Sequence, residues 1–222
     1  MKYAFAVAAM LASTSASAAV ISSSVGGVPV GANIYESFDA IGPGGTTASG
    51  ITVSFAGTDA GTASLPNVGG KYAAPYISGG NGTLFGNAQA DGQDATQYLT
   101  TGIGTVTLDL GDDHQYFGIL WGSVDTYNSL AFYAGDTLLF TYSGSDVAAI
   151  ANGDQGAAGT YYVNINSDTA FNKVVASSSG YAFEFDNVAL AYKPITDVPE
   201  PGALALFGLG AIGLAAARRR KA

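Results

Sequence analysis

The apolar residues of this chain come in short runs that alternate with polar ones, and Gly, Ser, Asn and Asp separate the runs. An alternation of period two sends successive side chains to opposite faces of an extended strand, so each run reads as a half-buried β-strand. Ile51, Val53 and Phe55 make one such face, and Val106, Leu108 and Leu110 another. Leu130, Phe132 and Ala134 lead into Gly135-Asp136, after which Leu138, Phe140 and Tyr142 resume the pattern. Two turn residues between alternating strands predict a β-hairpin. Gln115 to Trp121 is more continuously apolar, as a central strand covered on both faces would be. Tyr161–Ile165, Phe171–Ala176 and Tyr181–Tyr192 are the later strand candidates. No stretch of the body has helical periodicity. The expectation is all-β: an antiparallel β-sandwich of jelly-roll type. Residues 41–50 and 57–94 are looser and Gly-rich, and read as long surface loops holding one or two short strands.

The final strand candidate contains an irregularity. Phe183 and Phe185 face one way, and continuing that phase would bury Asn187 and expose Val188 and Leu190. Burying Val188, Leu190 and Tyr192 instead requires the phase to slip near Asp186-Asn187, as a β-bulge does.

The two ends follow different rules. Lys2, the apolar stretch Tyr3–Leu11 and Ala16-Ser17-Ala18 have the order of a secretory signal peptide, which makes residues 1–18 a cleaved leader and Ala19 the expected mature N-terminus. A retained anchor is the alternative. At the other end Val198-Pro199-Glu200-Pro201 precedes an apolar run, Gly202 to Ala217, and then Arg218-Arg219-Arg220-Lys221. Residues 202–217 are at the short edge of what spans a bilayer, which takes about 20 apolar residues. The basic cluster predicts a stop-transfer with the tip inside and the body outside. The expected organisation is therefore a leader (1–18), a β-sandwich extracellular domain (19–197) and a tail (198–222) with a single transmembrane helix. Gly208, Gly210 and Gly213 match the spacing of a dinucleotide-binding loop, but no acidic residue follows them, so they read as packing positions in a membrane segment.

Pro199, Glu200 and Pro201, the apolar run and the terminal basic cluster together resemble the PEP-CTERM sorting signal of Gram-negative bacteria. The resemblance implies that a membrane-embedded exosortase recognises the tail, cuts near Pro199-Glu200-Pro201, and passes the protein to the cell surface or extracellular matrix. The inner membrane is then a transient station. The block Phe117–Asn128 is similar to one found in exosortase-dependent surface proteins with β-rich bodies. The body also resembles jelly-roll carbohydrate-binding modules, which hold a structural calcium between opening acidic residues and an Asp of the closing strand. That resemblance implies calcium at Glu36, Asp39 and Asp186; the alternative is that these are solvated strand-end carboxylates.

Charge narrows the function further. Five of the eight basic residues lie in the two ends, so the body sets Lys71, Lys173 and Lys193 against sixteen acids, a net charge of −13. A surface this acidic excludes nucleic acid as a partner, since that binding rests on Lys and Arg at phosphates. The absence of cysteine excludes thiolate nucleophiles and Cys-ligated metals. His114, the one histidine, sits in what reads as a tight turn, Gly111–Gln115, where a Ser-His-Asp arrangement is hard to build. Trp121 reads as core, Asp125 and Asn128 as turn residues, and Asn81-Gly82-Thr83 as a turn more than a glycosylation acceptor. The expectation is a non-enzymatic structural or adhesion protein of the cell surface or exopolysaccharide matrix. A carbohydrate-binding module and a secreted glycan-active enzyme with a carboxylate pair are the alternatives.

Overall fold

The structure is a computed structural model that describes residues 19–195; the leader and the tail, with the expected transmembrane helix, Pro199-Glu200-Pro201 and Arg218–Lys221, lie outside the described residues. The strands are β1 (Ala19–Ser24), β2 (Ile34–Glu36), β3 (Thr52–Gly57), β4 (Gly61–Ala63), β5 (Tyr76–Ile77), β6 (Gly92–Gln93), β7 (Tyr98–Thr101), β8 (Gly104–Gly122), β9 (Asn128–Ala134), β10 (Thr137–Ser143), β11 (Tyr161–Ser178) and β12 (Phe183–Ala191). A single helical turn, α1 (Gly144–Val147), follows β10. It is opened by a capping box in which Ser143 and Asp146 each satisfy the other's backbone or side chain. Among the described residues no helix is long and apolar enough to cross a membrane.

All strand pairings are antiparallel, as the sequence predicts. The two separate sheets of a jelly roll are not what forms. One ten-stranded sheet doubles over on itself, and β5 and β6 pair apart from it. The reason is the length of β8 and β11, at 19 and 18 residues, each of which serves in both layers. The first part of β8 lies between β3 and the end of β11, which continues to β9 and β10. Its last part lies between the start of β11 and β12. Beyond these, β1 pairs with β11, β2 and β7 pair with β12, and β4 with β7. The corner falls where the β8–β11 ladder is irregular, between Asn166 and Lys173, opposite a glycine at positive φ, Gly111. Irregular ladders of this kind let a strand pass from one layer to the next.

The core sits inside the fold of the sheet. Val106, Leu108, Phe132 and Val174 from one layer join Phe117, Trp121, Val163 and Phe185 from the other in one buried cluster. Phe117 meets Phe132 edge to face across the two layers, with ring centroids 5.4 Å apart. Trp121 is fully buried and stacks on Phe183 at 4.4 Å. The hairpin forms as expected, with Ala134 paired to Thr137 and Gly135 at φ 58 in the turn.

Three local expectations are corrected. His114 lies within β8 and not in a turn. Phe55 shares a face with Val53 yet is 39% exposed, and Tyr192 is 51% exposed beyond the end of β12.

The outer face of the β8–β11–β12 layer is covered as well. Ile77 and Phe85, from the excursion between β4 and β7 (residues 64–97), pack on Tyr116, Leu120, Tyr162, Ala189 and Ala191. Every residue of β12 is therefore buried. Gly118 is where this packing is tightest: a Cβ there would lie 2.6 Å from the Tyr162 hydroxyl and 2.7 Å from that of Tyr116. Gly118→Ala is expected to destabilise by about 1–3 kcal/mol, the usual cost of overpacking. Urea unfolding followed by circular dichroism measures it.

Candidate functional site

Polar side chains gather where the 64–97 excursion meets β12. Because Phe183 and Phe185 point into the core, Glu184 and Asp186 point to the opposite face, and there they are covered rather than solvated. Glu184 accepts a hydrogen bond from the Ala73 N–H at 2.8 Å and another from the Ser123 hydroxyl. Burial pushes its carboxyl up to about 7, against the relief those two donors give. Ser123 directly follows β8 and has a positive φ of 39, a conformation that L-residues seldom adopt.

Asp186 is fully buried, and the backbone N–H of Asn187 is the donor that faces its carboxyl. Close enough to act on its charge stands the carboxyl of Asp94, also fully buried. Burial holds the Asp186 carboxyl well above the usual range, and Asp94 and Asp39 reinforce the shift. Asp94 differs from Asp186 in one respect. Its Oδ1 accepts from Asn87 Nδ2 at 2.8 Å, from the Thr96 N–H at 2.9 Å and from the Thr96 hydroxyl at 2.6 Å, while its Oδ2 has no such donor.

The expected bulge falls where the sequence places it. The β12–β8 register shifts between Asp186 and Ala189, Asn187 has φ 53, and Val188 and Leu190 return to the core. The opening and closing strands are neighbours too, with Val188 opposite Glu36. The calcium set Glu36, Asp39 and Asp186 does not assemble. Both oxygens of Glu36 are occupied, Oε1 by the Phe38 N–H at 3.2 Å and Oε2 by the Ser49 hydroxyl at 2.6 Å. Asp39 is exposed and accepts from the Ser37 hydroxyl at 2.9 Å. Among the described residues no three His, Cys, Asp or Glu side chains converge as metal ligands. Glu36 therefore ties the 37–49 turn together, and the buried neighbour of Asp186 is Asp94. Sequence reasoning missed Asp94 because it lies in a stretch of Gly, Gln and Asn that reads as turn.

The remaining candidates fall outside this cluster. His114 is buried, its ring stacks on Tyr192 at 4.9 Å, and neither ring nitrogen reaches a carboxylate. Asn81 is buried with its Oδ1 taken by the Ser78 N–H, so the glycosylation triplet does not present its acceptor. Asp125 and Asn128 close a turn through the Asn128 N–H, and Tyr127 donates to the Tyr181 carbonyl at 2.5 Å. One surface cleft has mixed chemistry. About 390 Å³ in volume, it lies between β4 and the turn closed by Val68 and Tyr72, and Asp59, Thr62, Lys71, Tyr72 and Thr100 line it. The Tyr181 hydroxyl, at 2.7 Å, and Lys71, at 3.1 Å, hold the Asp59 carboxyl below the usual carboxylate range.

An acidic, cysteine-free body built as one doubled antiparallel sheet, with no cluster of three metal-ligating side chains among the described residues, defines a β-sheet body class. The tail supplies the rest. A family profile described as a PEP-CTERM protein-sorting motif matches residues 197–221, which include Pro199, Glu200, Pro201 and the basic cluster Arg218–Lys221. The chain thus carries a PEP-CTERM sorting domain, the mark of an exported protein handled by an exosortase on its way to the cell surface. No curated protein matches the chain.

Proposed function

We propose that the body is a non-catalytic structural or adhesion element of the cell surface or extracellular matrix, held in association with exopolysaccharide after an exosortase removes the tail. The observation that carries this reading is the sorting motif at 197–221 placed directly behind a folded, strongly acidic body. The leader read at residues 1–18 supplies export. Three lysines against sixteen acids keep such a domain soluble and repel anionic surfaces. In biofilm extracts the protein is expected to sediment with the polysaccharide and to be released when that polymer is digested. Retention in the inner membrane after digestion would contradict the reading.

The cleft at Asp59, Lys71 and Tyr72 favours a second reading, a sugar-binding module. A fixed ion pair, threonine hydroxyls and a tyrosine ring are what a neutral saccharide uses. A glycan array probed with the full-length protein tests it: binding that disappears in Lys71→Ala supports it, and an array without signal removes it.

A further inference from the structure

The place where the body hands over to the tail is fixed on the outer face of the sheet. Asn166 Oδ1 accepts the Ile195 N–H at 2.7 Å. Across the sheet Val20 lies opposite Asn166, Asn166 opposite Tyr116, and Tyr116 opposite Ala191. Residues paired in this way share a face, so all four flank Ile195 on the side away from the inner core. The segment after β1 is drawn over the same spot. The Tyr116 hydroxyl accepts the Val30 N–H at 3.3 Å, and Asn164 Nδ2 donates to the Val28 carbonyl at 3.4 Å. Gly31, Asn33, Tyr192 and Lys193, together with Ile195, line a hollow of about 500 Å³ there.

Val20, Val28, Val30 and Tyr192 are exposed, and they gather around this point. Exposed apolar side chains grouped in one patch mark a contact surface. What the patch meets follows from the length of chain beyond it. The six residues 196–201 separate Ile195 from the apolar run that opens at Gly202. However they run, they reach at most about 20 Å. A compact body of residues 19–195 is about 40 Å across. The tether is thus too short to let the body turn over, and the face around Ile195 is the one held towards the membrane. Charge does not draw it there. Lys193 is exposed at the patch, but Asp112 and Asp113 are exposed beside His114, on which Tyr192 stacks. The contact is therefore apolar, with Tyr192 suited to the headgroup level.

We propose that, until the tail is cut, this patch rests on the phospholipid surface of the membrane that holds the tail, and so keeps Pro199-Glu200-Pro201 at the height where a membrane-embedded exosortase works. The proposal rests on the reading of residues 202–217 as a membrane segment. Four side chains make a small apolar contact, and a free body carrying them would not stay on a bilayer. Tethering changes that, because a short link gives the patch an effective concentration of about a millimolar at the surface. Cleavage removes the link and with it the docking, so the cut that frees the chain also lets the body leave.

The chain has no cysteine, so one introduced cysteine places a fluorescent label at a single site. Val28→Cys reports on the patch, and Leu138→Cys on an exposed position of β10, at the edge of the other layer. The full-length chain, labelled with NBD, is reconstituted in phosphatidylcholine vesicles that contain a nitroxide lipid. The label at Val28 is expected to lose about half of its emission or more, and the label at Leu138 almost none. Val30→Asp added to Val28→Cys should abolish the quenching, and so should a stop after Asp197; quenching unchanged by Val30→Asp would overturn the docking. Flotation of the vesicles after an alkaline wash reads the tail separately. A chain that does not float contradicts the membrane segment at 202–217 and the docking with it. A chain that floats with Val28 and Leu138 alike unquenched overturns the docking alone. A Val28 label shielded from iodide yet untouched by the lipid nitroxide overturns it too, since a protein surface and not lipid would then cover the patch.

Discussion

A chain that ends before Pro199 is expected to disappear from the cell-surface fraction and to accumulate in the periplasm or medium as a folded protein. The described body, residues 19–195, has a buried core of its own, so the truncated chain is expected to fold. What the truncation removes is the address. The match at residues 197–221 unites three separable parts: the Pro-Glu-Pro tripeptide, the apolar run and the basic end. Replacing Pro199 and Pro201 by alanine should leave the apolar run and the charges that stop transfer in place, and so trap unprocessed protein in the inner membrane. Replacing Arg218, Arg219 and Arg220 by glutamine should instead weaken the stop and let the chain escape. Immunoblots of membrane, periplasmic and surface fractions separate these outcomes. Normal surface display of the truncated chain would contradict the role given to the tail.

The second large effect belongs to the body. Trp121→Ala is expected to cost about 3–5 kcal/mol, because it empties the largest side chain from the centre of the doubled sheet. The ring stacks on Phe183, and its strand is paired on both sides, to Tyr161 and to Phe185, so the surrounding backbone has little freedom to close the hole. Trp121→Phe should cost much less. It keeps an aromatic ring against Phe183, and it removes an indole N–H that is buried without a hydrogen-bond partner. The midpoint of guanidinium unfolding, followed by far-UV circular dichroism because the only tryptophan is lost, gives both numbers. Equal midpoints for the alanine variant and wild type would move Trp121 out of the core and back towards a ligand-platform role.

The strands and the hairpin were legible because alternation and Gly-Asp turns are local signals. The slip at Asp186-Asn187 was legible for the same reason, since Phe185 and Val188 cannot both be buried in one phase. The doubling of the sheet was not. Tyr161–Ile165 and Phe171–Ala176 look like two strands, and only the ladder with β8 shows that they are one, bent at its irregular middle. The cluster around Glu184 was hidden by a related gap. Alternation correctly sends Glu184 and Asp186 away from Phe183 and Phe185, but it says nothing about what lies on that other side. The cover is a segment whose buried apolar residues, Ala73, Ala74, Ile77 and Phe85, are spaced by turns and show no period. A Gly-rich stretch that reads as surface loop therefore turns out to be half of a second, smaller core. The sorting motif, by contrast, was legible, because such a signal is read as an ordered string of residues.

The central claim is that the tail is an address that is removed on arrival. Mass spectrometry of the protein recovered from the cell surface tests it directly. The account predicts a polypeptide that starts at Ala19 and ends at or near Pro199-Glu200-Pro201, without the apolar run and the four basic residues. A surface-exposed chain that still carries Arg218, Arg219, Arg220 and Lys221 would contradict it.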